Sequence, residues 1–191
     1  MTDETNTWAM RAAVAFGLLL AGGFAGWLVH AAAIRGGDVS MIAFYKDWRL
    51  ACPAISETKT NCEMVTDVLD TKSHGKLAQT AFAIQRGKRI IVLTVPLQVL
   101  LEPGIGLKID AKAPHIYRYS TCVPGSCFAL SPADDKLFSD MRKAKSVALV
   151  VVGPDGKPVT LSVSMKGFDD AQDVFTSREA KRGSWFWRVL S

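Results

Sequence analysis

A mostly β domain, sandwich or barrel-like with one or two short helices, preceded by one N-terminal transmembrane helix, is the fold this sequence predicts. Three observations lead there. Ala12 to Val29 reads AAVAFGLLLAGGFAGWLV, eighteen residues without a charge. Beyond it, about eight short runs are alternating or continuously β-branched and are bounded by turn residues. Helical spacing of apolar residues recurs in that region only after Asp134 and after Gly167.

The apolar stretch is near the lower length for a membrane span, which needs about 20 residues at 1.5 Å rise, and it also suits a long signal-peptide core. Asp3 and Glu4 ahead of a single Arg11 do not make the basic segment of a cleavable signal. His30-Ala31-Ala32-Ala33, followed by Arg35-Gly36-Gly37, nevertheless offers a small-residue cleavage site, so removal after Ala33 stays open. Trp8 and Trp27 lie nineteen residues apart, about 28 Å on a helix, which would set one indole near each interface of a bilayer. Ala9, Ala13, Gly17, Ala21 and Ala25 recur every four residues, with Gly22 and Gly26 beside them. Such a ridge lets a second transmembrane helix approach closely, although alanine and glycine are also common in export segments. The expected organisation is a cytoplasmic N-terminus over 1–11, an anchor or uncleaved signal over 12–34 and a neck over 35–41. A periplasmic β domain over 42–176 and an aromatic-basic tail over 177–191 follow.

About 155 residues outside the membrane suffice for one domain with its own core, and no stretch after Ile34 is long and apolar enough for a second span. The formal net charge of +5 is concentrated at the end, where Arg178, Lys181, Arg182 and Arg188 face only Glu179. A nucleic-acid binder would carry its basic stripe through the fold, so no nucleic-acid partner is expected. Four cysteines, Cys52, Cys62, Cys122 and Cys127, follow the export segment, as an oxidising compartment would produce. Three pairings are open; the short intervals favour Cys52–Cys62 and Cys122–Cys127. Metal sites draw on closer cysteine pairs with histidine nearby, and a thioredoxin-like centre has two intervening residues rather than four. No metal, cofactor or redox role is therefore expected. His74 sits in the turn DTKSHGK, and neither it nor His115 has the partners of a catalytic triad. The chain reads as a non-enzyme.

In order, Ala43 to Cys52 alternates Phe44, Lys46, Trp48, Leu50 and Cys52 against Tyr45, Asp47 and Arg49, predicting one strand with an odd charge at Lys46. A polar loop over 53–61 leads to a strand over Cys62–Leu69. Leu77–Gln85 and Arg89–Val95 form a hairpin across Arg86-Gly87-Lys88. PLQVLLEPGIG, residues 96–106, is a proline-bounded apolar loop that packs across a sheet end or serves as a binding surface. Ile116–Cys122 is one more alternating strand, and Cys127–Leu130 follows the VPGS loop. Asp134–Ala144 presents Leu137, Phe138, Met141 and Ala144 on one helical face. Ser146–Val152 and Pro158–Met165 flank GPDGK, a strong hairpin signal. Phe168, Ala171 and Phe175 mark one or two turns of helix leading into the tail.

Phe44-x3-Trp48-Arg49-Leu50-x-Cys52, Cys62, Pro96-Leu97-x-Val99-Leu100-Leu101-x-Pro103-Gly104-Ile105, Cys122-x2-Gly125-x-Cys127 and Leu161-x-Val163-x3-Lys166-Gly167-Phe168 together resemble the invasion-associated locus B family over about residues 42–172. The resemblance implies an exported or periplasmic mostly-β domain with two disulfides, common in alphaproteobacteria, and no enzyme. The family takes its name from a role in host-cell entry. The acidic start, the small-residue ridge and the tail depart from its usual pattern. In that tail, Arg182, Trp185, Phe186, Trp187 and Arg188 mix aromatic and basic side chains. They suit a bilayer interface, a protein groove, or a lid on the domain itself. The reading is a single-pass inner-membrane protein serving as accessory or assembly subunit of an integral membrane complex, with complex and lipid bilayer as partners. Its alternative is a secreted or envelope binding protein with the helix removed.

Overall fold

The computed structural model describes residues 3–34, 39–70, 73 and 75–190. His74 lies outside them, and Trp8 and Ala9 lie outside the described side chains. Helix α1 (Asp3–Ile34) runs 32 residues, about 48 Å at helical rise. Among the described residues no helix is long and apolar enough to cross a membrane. The described α1 side chains span 11–27, and the uncharged run in the sequence continues past them to Val29.

Among the described residues eleven strands follow: β1 (Met41–Tyr45), β2 (Trp48–Cys52), β3 (Glu63–Leu69), β4 (Lys76–Gln85), β5 (Lys88–Val95), β6 (Ile105–Ile109), β7 (His115–Tyr117), β8 (Thr121–Val123), β9 (Ser126–Pro132), β10 (Val147–Val152) and β11 (Pro158–Val163). Helix α2 (Asp135–Lys143) lies between β9 and β10, while α3 (Phe168–Gly183) and α4 (Trp185–Leu190) come after β11. A seven-stranded antiparallel sheet has the order β1-β2-β3-β4-β5-β9-β8, and a four-stranded one the order β11-β10-β6-β7. Mostly β, with two antiparallel sheets and a few helices, is thus the fold class.

Two expectations about strands are corrected. Ala43–Cys52 is not one strand but the hairpin of β1 and β2, because Lys46 turns into the left-handed region at φ 54°. The odd charge was the turn. The apolar face therefore does not run through it: Trp48, Leu50 and Cys52 are buried, whereas Phe44 is 73% exposed. Ile116–Cys122 is likewise divided. Its first half pairs in the four-stranded sheet and its last residues pair in the seven-stranded one, so the chain changes sheets between Tyr117 and Thr121. The hairpin of β4 and β5 closes through Arg86 and Gly87 alone, at φ 52° and 74°. This double left-handed turn matches strand twist.

Both sheets contribute to one core. Leu50, Phe82 and Leu93 of the larger sheet join Leu107, Leu149 and Val163 of the smaller. At its centre Trp48 meets Phe168 edge-on at 5.1 Å, and Phe82 lies 4.6 Å from Phe138. Rings of this size stabilise by roughly 1.5–3 kcal/mol each on burial. The Trp48 indole N–H donates to the Ser164 carbonyl at 2.9 Å, so the buried ring keeps its own donor paired. Helix α2 brings Phe138 and Met141 to this core, and Asp134 caps it by accepting from the Leu137 N–H at 2.8 Å.

Helix α3 is the third correction. One or two turns were expected, but sixteen residues are helical. No glycine or proline interrupts Phe168–Arg182, Asp169 and Asp170 occupy its first turn, and Lys181 and Arg182 its last. Part of the basic excess read as a tail is charge complementing a helix C-terminus. Its start is fixed by Gly167 at φ 82°, where a Cβ would stand 2.0 Å from the Tyr45 carbonyl oxygen. Only glycine fits so close a crossing.

Candidate interaction surface

Phe168, Ala171 and Phe175 bury one side of α3 against the core. Continuing that helix brings Arg182 under the loop closed by the first disulfide. Cys52 and Cys62 are bonded, both are buried, and nine residues hang between them. Arg182, 7% exposed, donates from both terminal nitrogens, to the carbonyls of Ala54 and Thr60. Glu179 Oε1 lies 3.5 Å from Arg182 Nε and accepts from the Cys62 N–H at 2.7 Å. Disulfide, loop and helix end form one part-buried polar lock. Arg182, expected among the contact residues of the tail, is therefore corrected: it serves the domain's own packing.

What the lock positions is exposed. Ser184 breaks the helix, and α4 then presents Trp185, 69% exposed, with Phe186, Trp187 and Arg188 also open to solvent. Lys181 stands over the Trp187 ring at 5.5 Å, a cation–π contact. Arg178 donates to the Val39 carbonyl at 3.2 Å. The C-terminal helices are thereby tied to the chain five residues past the end of α1. A cleft of about 540 Å³ separates α3 and Arg188 from Glu57, Asn61 and Arg89.

Ala13, Gly17, Ala21, Gly22, Ala25 and Gly26 are all exposed on α1. Cβ atoms built at Gly17, Gly22 and Gly26 would meet nothing within 4 Å. Between them Phe16, Leu18, Leu19, Leu20 and Phe24 are also uncovered, Leu19 to 75%. The second disulfide, Cys122–Cys127, staples the edge hairpin of β8 and β9 across a directly opposed pair.

The most chemical-looking hollow is elsewhere. A cleft of about 370 Å³ lies between α2 and the strands β6 and β7, lined by Lys112, His115, Tyr117, Asp134, Lys136 and Asp140. Its charges serve one another. Lys136 bonds Asp140 at 2.5 Å and Lys112 lies 3.9 Å from it; the Lys136 hydrogen bond holds the Asp140 carboxyl below its ordinary range. Burial, with the nearby Asp134 charge, pushes the Tyr117 hydroxyl above its usual pKa. The His115 ring meets Tyr117 edge-on at 4.7 Å, without the nucleophile and base geometry of a hydrolase. Among the described residues no group of three His, Cys, Asp or Glu side chains could hold a metal.

Composition alone marks the exposed aromatics in the sequence. Arg178, Glu179 and Lys181 read there only as charge; the i, i+3 spacing of Glu179 and Arg182 is the available signal, but the carbonyls that hold Arg182 are 122 and 128 residues away.

Comparison with known proteins places this architecture. The family described as Invasion associated locus B (IalB) protein matches residues 48–176. Invasion protein B homologs of Brucella abortus strain 2308 and of Brucella abortus biovar 1 strain 9-941 are each 28% identical over 145 residues, 75% of this chain and 83% of theirs. The crystal structure of invasion associated protein b from Bartonella henselae superposes with a TM-score of 0.63 at 22% identity, covering 74% of this chain and 99% of that one. The last likeness is one of fold.

Proposed function

The chain belongs to the invasion associated locus B family, and from that premise we propose a non-enzymatic, single-pass, membrane-anchored periplasmic protein that acts as accessory or assembly subunit of a larger inner-membrane complex. Family membership and two disulfides support an extracytoplasmic β domain. One observation carries the rest. Helix α1 exposes apolar side chains on all sides along its described length, a surface far larger than a helix in water leaves uncovered. Lipid and a partner helix are the natural cover, the first along Leu18, Leu19 and Leu20, the second along the ridge from Ala13 to Gly26. The β domain supplies contact surface to the partner rather than chemistry.

The experiment is native electrophoresis of gently solubilised membranes, with mass spectrometry of the band and of the chain's N-terminal peptide. Migration in a large assembly with the N-terminal segment intact is the expected result. A small species beginning near Ile34 would overturn it. It would favour the second reading, an envelope or secreted binding protein after cleavage at Ala33. That reading draws on the Brucella and Bartonella relatives, since the Bartonella fold is matched almost completely while a quarter of this chain lies outside the match.

A further inference from the structure

We infer that α4 is a bilayer seat: it lies in the headgroup region of an anionic membrane and fixes the height and tilt of the β domain above it. The inference rests on the anchored reading of α1 and adds where the C-terminal helix goes. The Arg178–Val39 hydrogen bond sets the geometry. From Val39 back to Ile34 is five residue steps, at most about 18 Å of chain. From Arg178 to the end of α3 at Gly183 is five residues, about 8 Å of helical rise, and Trp185 follows two residues on. The exposed indoles therefore sit on the side of the domain from which the anchor arrives. A tether this short gives an effective concentration in the millimolar range, so a weak contact is enough to hold them there.

The chemistry matches a headgroup layer. Trp185, Phe186 and Trp187 are exposed at three successive positions, which point about 100° apart around a helix. A protein groove reads positions i, i+3 and i+4 along one face; an interface accepts aromatic rings without such register. Lys181 and Arg188 stand with these rings, Lys181 over the Trp187 face, and offer cations to lipid phosphates. Glu179, the acid among them, is turned inward to Cys62 and Arg182.

The test uses the full chain carrying Trp8→Phe and Trp27→Phe, reconstituted into phosphatidylglycerol–phosphatidylethanolamine vesicles. Its remaining tryptophans are Trp48, Trp185 and Trp187, and Trp48 is fully buried. Brominated lipid should remove about half of the emission, as expected of indoles at the interface, while aqueous iodide removes little. Replacing Trp185 and Trp187 by serine on this background should abolish the lipid effect. A chain that floats with the vesicles but is indifferent to brominated lipid overturns the seat alone. Open access to iodide would then place α4 in water, and shielding from both quenchers would place it against protein. A chain that does not float overturns the anchored reading and the seat with it.

Discussion

Among the described residues Arg182 is the one charged side chain in the buried class. It is buried, its guanidinium forks onto two carbonyls of one loop, and its own-helix partner Glu179 holds the N–H of Cys62. Removing it takes the donor from the Ala54 and Thr60 carbonyls and the cation from the Glu179 carboxylate, so Arg182→Ala should lower stability by about 2 kcal/mol in urea unfolding. Arg182→Lys keeps the charge without the fork and should recover only part of that loss. Gly167 is as constrained for a steric reason. At φ 82° and with the Tyr45 carbonyl 2.0 Å from where a Cβ would stand, Gly167→Ala must shift either β1 or the start of α3, and a loss of about 3 kcal/mol or more is expected. Circular dichroism through a urea titration reads both.

At the scale of elements, the two disulfides have different consequences. Loop entropy assigns about 3 kcal/mol to Cys52–Cys62 and about 2 kcal/mol to Cys122–Cys127. The first also holds the loop that receives Arg182, so Cys52→Ser with Cys62→Ser should raise hydrogen exchange in the last turns of α3. The second closes an edge hairpin, and its loss should leave α3 protected. The segment from β7 to Tyr119 adds a pH dependence. Tyr117 titrates above its ordinary value of 10.0, through burial first and the Asp134 charge second; Tyr119 shifts the same way by burial. The folded state keeps these protons longer than the unfolded one. Their contribution is complete below pH 10 and is lost as pH rises through the folded pKa. Urea midpoints should therefore fall above about pH 10, and Tyr117→Phe should flatten that fall in part. Strands β4, β5, β10 and β11 were legible in the sequence because period and turn chemistry agree locally, as at Arg86-Gly87. The break at Lys46 and the change of sheet after Tyr117 were not, because an alternating run does not record which strand it will pair with. The exposed aromatics of α4 were legible as composition. The burial of Arg182 was not, since it depends on carbonyls far away in the chain.

The whole molecule divides into a core and an uncovered helix. The buried core residues run from Trp48 to Phe175 and include none of the described side chains of α1, and the family match begins at that same Trp48. Folding of the β domain should then be indifferent to α1, while its location should not. Replacing residues 1–38 by a cleavable export leader keeps the Val39 carbonyl that Arg178 uses. The shortened chain should form both disulfides and unfold at the urea midpoint of the same domain in the full chain. Its membrane behaviour should change in kind. A spanning helix survives alkaline carbonate, whereas a six-residue aromatic-basic helix binds reversibly and is screened by salt. The full chain is expected in the carbonate pellet and the shortened one in the high-salt wash. An unfolded shortened chain would mean that α1 packs on the domain, and a full chain extracted by carbonate would remove the anchor from the account.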